Sequence, residues 1–468
     1  MARRCPTWWT AGVATEGRQG RAGAAALLVA ALLAGCATGP EIIREPPPVP
    51  APPRPTPGPA PVPVPAPAPA PLPAPRPPVP PPAPAPAPIP VPIPAPTPPA
   101  VPPPVDAAEV RALALRHLPP QIPQRGGWAD DIATSYAALG IPALPHKLCA
   151  LAAVIEQEST WQPDPPVAGL SRIAKAELEK KREALGIPKT VFELALLKAS
   201  PDGRSYQQRL DRLRTERELS DLFEDMVREI PFGERFFGGQ NPVRTGGSTQ
   251  VSIAWAQQHM AERPYPWRPA GSAREEVFKR RGGVYFGAAM LLDYPVSYDR
   301  MLYRFADYNA GRYASRNAAV QALLAQLTGR PVVADGDLLR YRGGEPVPVR
   351  SEPSQSYQAF LALAGDLGLS AAQIEQDLKR EKRHDFEQTA TYRRLGQLAR
   401  QRGAVLEAAR LPEIALKSPK ISRPLTTAWF AERCETRYRA CLARGLPAGL
   451  TTEVPGPRPA RLADDVAP

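Results

Sequence analysis

One carboxylic acid in this sequence stands at the end of a predicted helix, on its apolar side. In the string LCALAAVIEQESTW, a rotation of about 100° per residue places Leu151, Val154 and Ile155 on one face. Glu158 falls at the middle of that face, whereas Glu156 points away from it. Burial and the partial negative charge of a helix C-terminus both disfavour a carboxylate, so we expect the pKa of Glu158 to be raised.

An acid that stays protonated near neutral pH can donate its proton to the oxygen of a glycosidic bond. Taken alone, however, this pattern fits a glutamate that turns outward to solvent better than it fits a catalytic acid. The choice between the two therefore depends on what the rest of the chain places around Glu158.

The same segment begins a series of three motifs. Ala153–Gln162 (AVIEQESTWQ) holds a Glu-Ser pair followed by an aromatic residue, and Asn241–Ser252 (NPVRTGGSTQVS) holds Gly247 three residues before Gln250. Arg304–Gly311 (RFADYNAG) ends another predicted helix. In this order the motifs resemble those of the soluble lytic transglycosylase family, and GGVYFGAAMLLDY, between the second and the third, is similar to its bridging helix.

The resemblance implies a mainly α, lysozyme-like core that cleaves the bond between N-acetylmuramic acid and N-acetylglucosamine with a 1,6-anhydro product. Glu158 would protonate the glycosidic oxygen and then take the proton of the muramoyl 6-hydroxyl, with no metal or cofactor. Tyr308 would steer the proton of Glu158 through a hydrogen bond. Gln250 and Asn309 would hold acetamido groups or the cleft wall, and Ser159 would position the helix end. For Asn309, an ordinary helix C-cap is at least as good an interpretation.

The sequence departs from the family's pattern at two places. Helical residues from about Asp164 to Gln240 stand between the first two motifs, where the family has a short loop. This insertion could form a lid, a substrate selector or a surface for an envelope protein, and it could also block the cleft. In addition, Ser248 and Thr249 precede the glutamine where the family usually has apolar residues, so the cleft lining is expected to be more polar.

Two other functions remain open on the sequence. A lysozyme-type hydrolase would need a second carboxylate about 6.5–9.5 Å from the acid to activate water, and the candidates near the motifs are Asp164 and Asp307. The protein could also be a non-catalytic module that binds peptidoglycan and tethers it to the membrane. A lipid anchor, a long spacer and a basic folded part would suit that function equally well.

The N-terminus has the pattern of an exported lipoprotein. Basic residues precede an uncharged run (AGAAALLVAALL) that is too short to span a bilayer, which takes about 20 residues. Leu33-Ala34-Gly35-Cys36 follows and resembles the lipobox of bacterial lipoproteins, so Cys36 is the predicted lipid anchor. An ordinary signal peptide is the alternative. Ala37 favours the outer membrane, on its periplasmic face.

The folded part lies between two segments that are unsuited to a core. The run Pro46–Pro104 is nearly all Pro, Ala and Val, which favours an extended polyproline II spacer. The net charge is +12. For an exported protein, this charge favours anionic wall polymers such as peptidoglycan over nucleic acid. The predicted division is 1–35 signal peptide, 36–105 lipidated cysteine and spacer, 106–330 transglycosylase-like domain with the insertion at about 164–240, 331–445 helical C-terminal extension, and 446–468 disordered tail.

Helical spacing dominates the folded part. One hairpin is predicted, in which Val332-Val333 turns at Asp335-Gly336 into Leu338-Leu339. On one helix, Cys434 and Cys441 would lie about 10 Å apart, too far for a disulfide, which leaves Cys149 as a partner for either. The four histidines show no metal-ligand spacing. The predicted helices include Ala107–His117, Trp128–Leu139, Leu144–Glu158, Thr249–Ala261, Ser272–Lys279, Val284–Tyr294, Tyr298–Tyr308 and Ala314–Leu327.

Overall fold

The computed structural model shows a mainly α protein, as predicted. It describes residues 41–42, 104–184, 186–229, 232, 234–235, 238–268, 271–342, 345–417 and 425–446. The predicted leader, Cys36, the proline-rich run up to residue 103 and the tail beyond residue 446 lie outside the described residues. Within the described part there are 17 α-helices, mostly in uninterrupted series, and seven strands of two or three residues.

The helices are α1 Ala107–His117, α2 Arg125–Leu139, α3 Pro145–Ser159, α4 Leu170–Ala184, α5 Lys189–Leu196, α6 Tyr206–Asp211, α7 Glu216–Arg228, α8 Ile253–Glu262, α9 Ala273–Val277, α10 Arg280–Leu292, α11 Met301–Ala310, α12 Ala314–Thr328, α13 Gln355–Ala362, α14 Ala364–Leu367, α15 Ala371–Leu378, α16 Ala390–Gln401 and α17 Thr427–Arg444. The strands are β1 Glu41–Ile42, β2 Thr245–Gly246, β3 Val251–Ser252, β4 Tyr341–Arg342, β5 Glu345–Pro346, β6 Ala415–Lys417 and β7 Leu425–Thr426. They form three antiparallel sheets, ordered β1-β6-β7, β2-β3 and β4-β5.

Helix α3 is the centre of the larger hydrophobic core. Every residue from Leu148 to Ile155 is buried, so the helix is covered on all sides and not on one face alone. The helices that pack against it are α1, α10 and α17. A helix held on all sides can fix the position of whatever side chain stands at its end.

The last described helix, α17, returns to this core. Phe430, Ala431 and Cys434 are buried there beside α3. A disulfide joins Cys149 of α3 to Cys441 of α17, while Cys434 is a free, buried thiol. The prediction that Cys434 and Cys441 do not pair with each other is confirmed. Helix α17 is therefore linked to α3 both by packing and by a covalent bond.

The segment predicted as an insertion packs on the same core. Helix α7 buries Leu219, Phe223 and Met226 in it, and these residues recur at the spacing of one helix face. Helix α7 begins with a capping box in which Thr215 and Glu218 satisfy each other's backbone N–H groups. The inserted segment thus has a defined start and a buried face.

A second core, built from α12 to α16, replaces the predicted hairpin. Glu381 is fully buried and accepts hydrogen bonds from the backbone N–H groups of Leu338 and Leu339. Those N–H groups are therefore not available to a neighbouring strand. A turn is present, because Gly336 has φ +82° and its N–H donates to Gln321 Oε1 at 2.8 Å. The predicted strands on either side of it are wrong, and the short hairpin lies further on, in β4 and β5.

Among the described residues, no helix combines the length and the apolar character needed to cross a membrane.

Candidate active site

Glu158 lies in the last turn of α3, where the buried helix meets solvent. Its side chain is partly exposed. The pKa of this carboxyl group is raised to about 8. Burial is the larger cause, and the negative charge of Glu216 is the second. After the helix the chain turns sharply, since Thr160 and Trp161 both have positive φ. Among the described residues the Glu158 carboxyl group makes no hydrogen bond, so it is available to a bound molecule.

The second motif forms the β2-β3 hairpin and its turn, held against α10. Gly247 has φ +76°, and a Cβ atom there would overlap the carbonyl oxygen of Val277, so only glycine fits. The Thr249 hydroxyl donates to the carbonyl oxygen of Gly283 at 2.8 Å. A Cβ atom at Gly287 would lie 2.5 Å from Thr249 Cγ2. Glycines on the bridging helix therefore let the turn approach its backbone closely.

Gln250 ends that turn and connects the motif to the insertion. Its φ is +50°, and its Nε2 donates to Glu216 Oε2 at 3.1 Å. Its Oε1 accepts from the Thr245 hydroxyl at 3.2 Å, which fixes the orientation of the amide. Glu216 is only 7% exposed and is the first residue of α7, where the partial positive charge of a helix N-terminus favours a carboxylate.

Tyr308, from the third motif, completes the site. Its hydroxyl donates to the carbonyl oxygen of Thr249 at 2.8 Å, next to Gln250, and not to Glu158, so the expected hydrogen bond to the acid is not present. Burial raises the pKa of this phenol, and the charge of Glu158 raises it further. The interactions form a ring: the Glu216 charge acts on Glu158, Glu216 accepts a hydrogen bond from Gln250, and Tyr308, on which the Glu158 charge acts, donates to Thr249, the residue before Gln250. Residues far apart in sequence thus interact with one carboxyl group or with its neighbours.

Two of the predicted site residues are engaged elsewhere. The Ser159 hydroxyl is buried and donates to the carbonyl oxygen of Ile155 within its own helix, at 2.8 Å. Asn309 Oδ1 accepts from the hydroxyl of Thr427 at 2.8 Å, so this side chain fastens the start of α17. Their contacts in the structure are with the protein itself.

Neither predicted second carboxylate acts on Glu158. Asp307 is buried, and its carboxylate accepts hydrogen bonds from the backbone N–H groups of Tyr313 and Ser315 and from two tyrosine hydroxyls. Asp164 lies beside the start of α7, hydrogen-bonded to Thr215. The carboxylate whose charge reaches Glu158 is Glu216, which the sequence analysis missed.

A sequence signal for Glu216 does exist. It stands in register with Leu219, Ser220 and Phe223 on the buried face of a strongly amphipathic helix, directly after the capping residue Thr215. Burying an unpaired charge costs free energy, so an acid on an apolar helix face is expected to interact with another polar group or to act in a functional site. What the pattern cannot show is which distant residue lies opposite.

Within the described residues, one cluster has metal-ligand side chains close together: His117, Cys149 and Cys441. Its two sulfur atoms are bonded to each other in the disulfide, so they are not thiolates that could bind a metal. The cluster also lies in the core between α1, α3 and α17 and shares no residue with the ring around Glu158.

Fold and site together define a class: a mainly helical protein in which three separated segments and an insertion surround a carboxylic acid of raised pKa. The chain belongs to the family DUF1615, described as a protein of unknown function, whose model matches residues 121–444. It is 44% identical over 337 residues to the "Uncharacterized protein YaiW" of Escherichia coli (strain K12), which covers 72% of this chain and 90% of that protein. No solved structure matches the chain.

Proposed function

We propose that the protein is a peptidoglycan lytic transglycosylase, with Glu158 as its general acid and base. The observation that carries this proposal is the convergence of the three motifs. Gln250 is hydrogen-bonded to Glu216, whose charge acts on Glu158, and Tyr308 is hydrogen-bonded to the residue before Gln250, while the Glu158 carboxyl group has a pKa of about 8. The motif order and the bridging helix support the resemblance to soluble lytic transglycosylases. The substrate would be the glycan strand of peptidoglycan.

The reaction needs one proton to move twice. Protonated Glu158 gives its proton to the glycosidic oxygen as the bond between that oxygen and C1 of the muramoyl residue breaks. Glu158, now anionic, takes the proton of the muramoyl 6-hydroxyl as its oxygen forms the new bond to C1. Positive charge develops near C1 in between, and the neighbouring Glu216 carboxylate would stabilise it electrostatically.

The proposal includes a lipid anchor at Cys36 on the periplasmic face of the outer membrane. Several acyl chains on one cysteine would give stable attachment without a transmembrane helix. The proline-rich run, if extended at about 3.1 Å per residue, would let the folded part reach the wall from the membrane. These segments lie outside the described residues, and the sequence alone supports this part of the proposal.

Hydrolysis is the second candidate, and one observation favours it. Glu216 is a second carboxylate beside Glu158, and a hydrolase of the lysozyme type uses such a group to activate water. The two reactions differ in their products. Transglycosylation leaves a 1,6-anhydromuramoyl end, whereas hydrolysis leaves a reducing end.

The test is digestion of isolated peptidoglycan by the full mature protein, by Glu158→Gln and by Glu156→Gln, with products identified by mass spectrometry. Glu156 is the matched control, because it is on the same helix and its charge does not act on the site. We expect anhydromuropeptides from the parent and from Glu156→Gln, and none from Glu158→Gln. Reducing ends would support the hydrolase. Binding to the sacculus without cleavage by any of the three would contradict both enzymes and support a tether.

A further inference from the structure

The inserted segment places one of its own side chains in the site. An insertion at the mouth of a cleft can cover the cleft, or it can complete it. We propose that Glu216, at the start of α7, is a positioning residue of the site: it holds the amide of Gln250 and presents a second carboxylate to Glu158. This inference rests on the proposed function for its meaning, but its test does not depend on activity.

Hydrogen bonds and burial fix the position of Glu216 relative to Gln250. Glu216 is 7% exposed, and its Oε2 accepts from Gln250 Nε2 at 3.1 Å, while Thr245 holds the other end of the same amide. Gln250 is held in a left-handed backbone conformation that non-glycine residues seldom adopt, with φ +50°. Such conformations persist where surrounding contacts over-determine them, and the bond to Glu216 is one of those contacts.

The groups that face Glu158 come from three elements. They are Glu216 from α7, the Tyr308 phenol from α11 and the Cys434 thiol from α17. Burial and Glu158 raise the pKa of both the phenol and the thiol, so these two are neutral at pH 8. Among the described residues, no cation acts on the Glu158 carboxyl group. Glu216 is therefore the charge that Glu158 responds to.

In the proposed reaction the two carboxyl groups have different roles: Glu158 donates the proton, and the charge of Glu216 raises the pKa of Glu158. A neighbouring negative charge disfavours a second one, so Glu216 helps to keep the proton on Glu158. That proton is the one the reaction needs. An insertion that covered the cleft would not be expected to support the catalytic acid in this way.

The test uses the pH dependence of stability. In the unfolded chain Glu158 has its ordinary pKa of 4.5, and in the folded protein its pKa is about 8. Below pH 4.5 the group is protonated in both states and does not affect folding. As the pH rises toward 8, the unfolded state gains the charge first, so the folded state loses stability relative to it. Glu158→Gln removes this loss, and its stability gain should appear between pH 4.5 and 8.

The gain is then measured in two backgrounds, the parent and Glu216→Gln, by denaturant unfolding of the full chain at several pH values. Without the Glu216 charge, the gain should reach its plateau at a lower pH, and the plateau, expressed as a ratio of unfolding equilibrium constants, should be smaller. Asp221→Asn is the matched control, since Asp221 is an exposed carboxylate on the same helix. It should leave the profile unchanged.

Identical profiles in the parent and Glu216→Gln backgrounds would overturn the inference. A second measurement covers the case in which Glu216→Gln does not fold. In protein labelled with ¹³C at glutamate carboxyl groups, the Glu158 resonance should titrate at lower pH in Glu216→Ala than in the parent, because the Glu216 charge is one cause of its raised pKa. Equal midpoints in the two proteins would overturn the inference as well. Coupling without peptidoglycan cleavage would refute the proposed function alone, and cleavage without coupling would refute this inference alone.

Discussion

At the level of residues, the Tyr308 hydroxyl joins two of the three motifs by one hydrogen bond. It donates to the carbonyl oxygen of Thr249, the residue before Gln250, and the charge of Glu158 acts on it. The bond therefore fixes the distance between the turn that carries Gln250 and the helix that ends the third motif. Its loss would loosen both without emptying the space that the ring fills.

We predict that Tyr308→Phe lowers the free energy of unfolding by about 1 kcal/mol, the usual contribution of one hydrogen bond. It should also slow release of anhydromuropeptides by roughly tenfold, because a small displacement of a catalytic group is costly. Unfolding in denaturant and digestion assays measure the two effects. Tyr303→Phe, on the same helix but outside the site, should change neither. Equal behaviour of the two variants would argue against a role for Tyr308.

Glu158 and Glu216 mark what local sequence can and cannot determine at this site. The periodicity of α3 places Glu158 on the core side of its helix end, and from that alone a raised pKa was predicted. The direction agrees with the structure, and burial is the main cause in both. The second cause differs: the sequence analysis invoked the helix C-terminus, whereas the structure supplies Glu216 from a helix 58 positions further along. The sequence around Glu216 indicates a buried acid, but neither segment indicates that Glu216 and Glu158 interact.

At the level of elements, glycines on α10 set how closely the second motif can approach it. Gly283 and Gly287 stand one turn apart, and a Cβ atom on either would lie 2.5 Å from the side chain of Ser248 or Thr249 respectively. The turn that carries Gln250 thus rests directly on the backbone of the bridging helix. This close contact leaves room only for small side chains at Ser248 and Thr249.

We predict that Gly287→Ala lowers the free energy of unfolding by about 1–3 kcal/mol, because the added methyl group forces Thr249 away. It should also reduce peptidoglycan cleavage, because a displaced Thr249 would move Gln250, the residue that follows it. Gly365→Ala is the control: this glycine lies in α14 with no atom within 4 Å of the added carbon, and it should be neutral or slightly stabilising. Denaturant unfolding distinguishes them. An unaffected Gly287→Ala would contradict the close packing of turn and helix.

The disulfide between α3 and α17 gives a second prediction at this level. It links residues 292 positions apart, so it strongly restricts the unfolded chain. Reduction should lower the free energy of unfolding by roughly 2–5 kcal/mol, measured by denaturant unfolding with and without dithiothreitol. A protein with both Cys149→Ala and Cys441→Ala should show no further effect of the reductant. If the reductant leaves the parent's stability unchanged, the link does not contribute as described.

The elements themselves were largely predictable, and the failures have a common cause. Helix α1 was predicted and found at Ala107–His117, because its periodicity and the capping residue Asp106 are local. The strands around Asp335-Gly336 were wrong, because the buried carboxylate of Glu381, more than 40 residues away, takes the N–H groups that a ladder would need. Helix bounds follow from neighbours in sequence, but the partners of a backbone N–H group in a loop do not.

At the level of the whole molecule, the proposal separates anchoring from catalysis. The proposed anchor and spacer precede the folded part in the sequence, and the helix that follows the second core returns to α3. The net charge of +12 would favour residence near the anionic wall. The proposed tether would then hold the catalytic domain near its substrate, so the domain would not depend on free diffusion to reach it.

We predict that Cys36→Ala moves the protein from the membrane fraction to the soluble fraction of the cell, because the acyl chains on this cysteine form the proposed anchor. Cys5→Ala is the control, because Cys5 lies in the predicted leader and should not affect the distribution. Immunoblots of separated membrane and soluble fractions give the result. Retention of Cys36→Ala in the membrane would contradict lipid attachment at this residue.

The most direct test of the account is the rate of anhydromuropeptide release as a function of pH, for the parent and for Glu158→Gln. Because the first step needs protonated Glu158, whose pKa is about 8, the parent's rate should hold up to about pH 8. Above that pH it should fall about tenfold per unit as the carboxylate forms. Glu158→Gln should release no anhydro product at any pH. A parent rate that falls from about pH 4.5 upward, or anhydro products from Glu158→Gln, would contradict the claim that a protonated Glu158 is the catalytic acid.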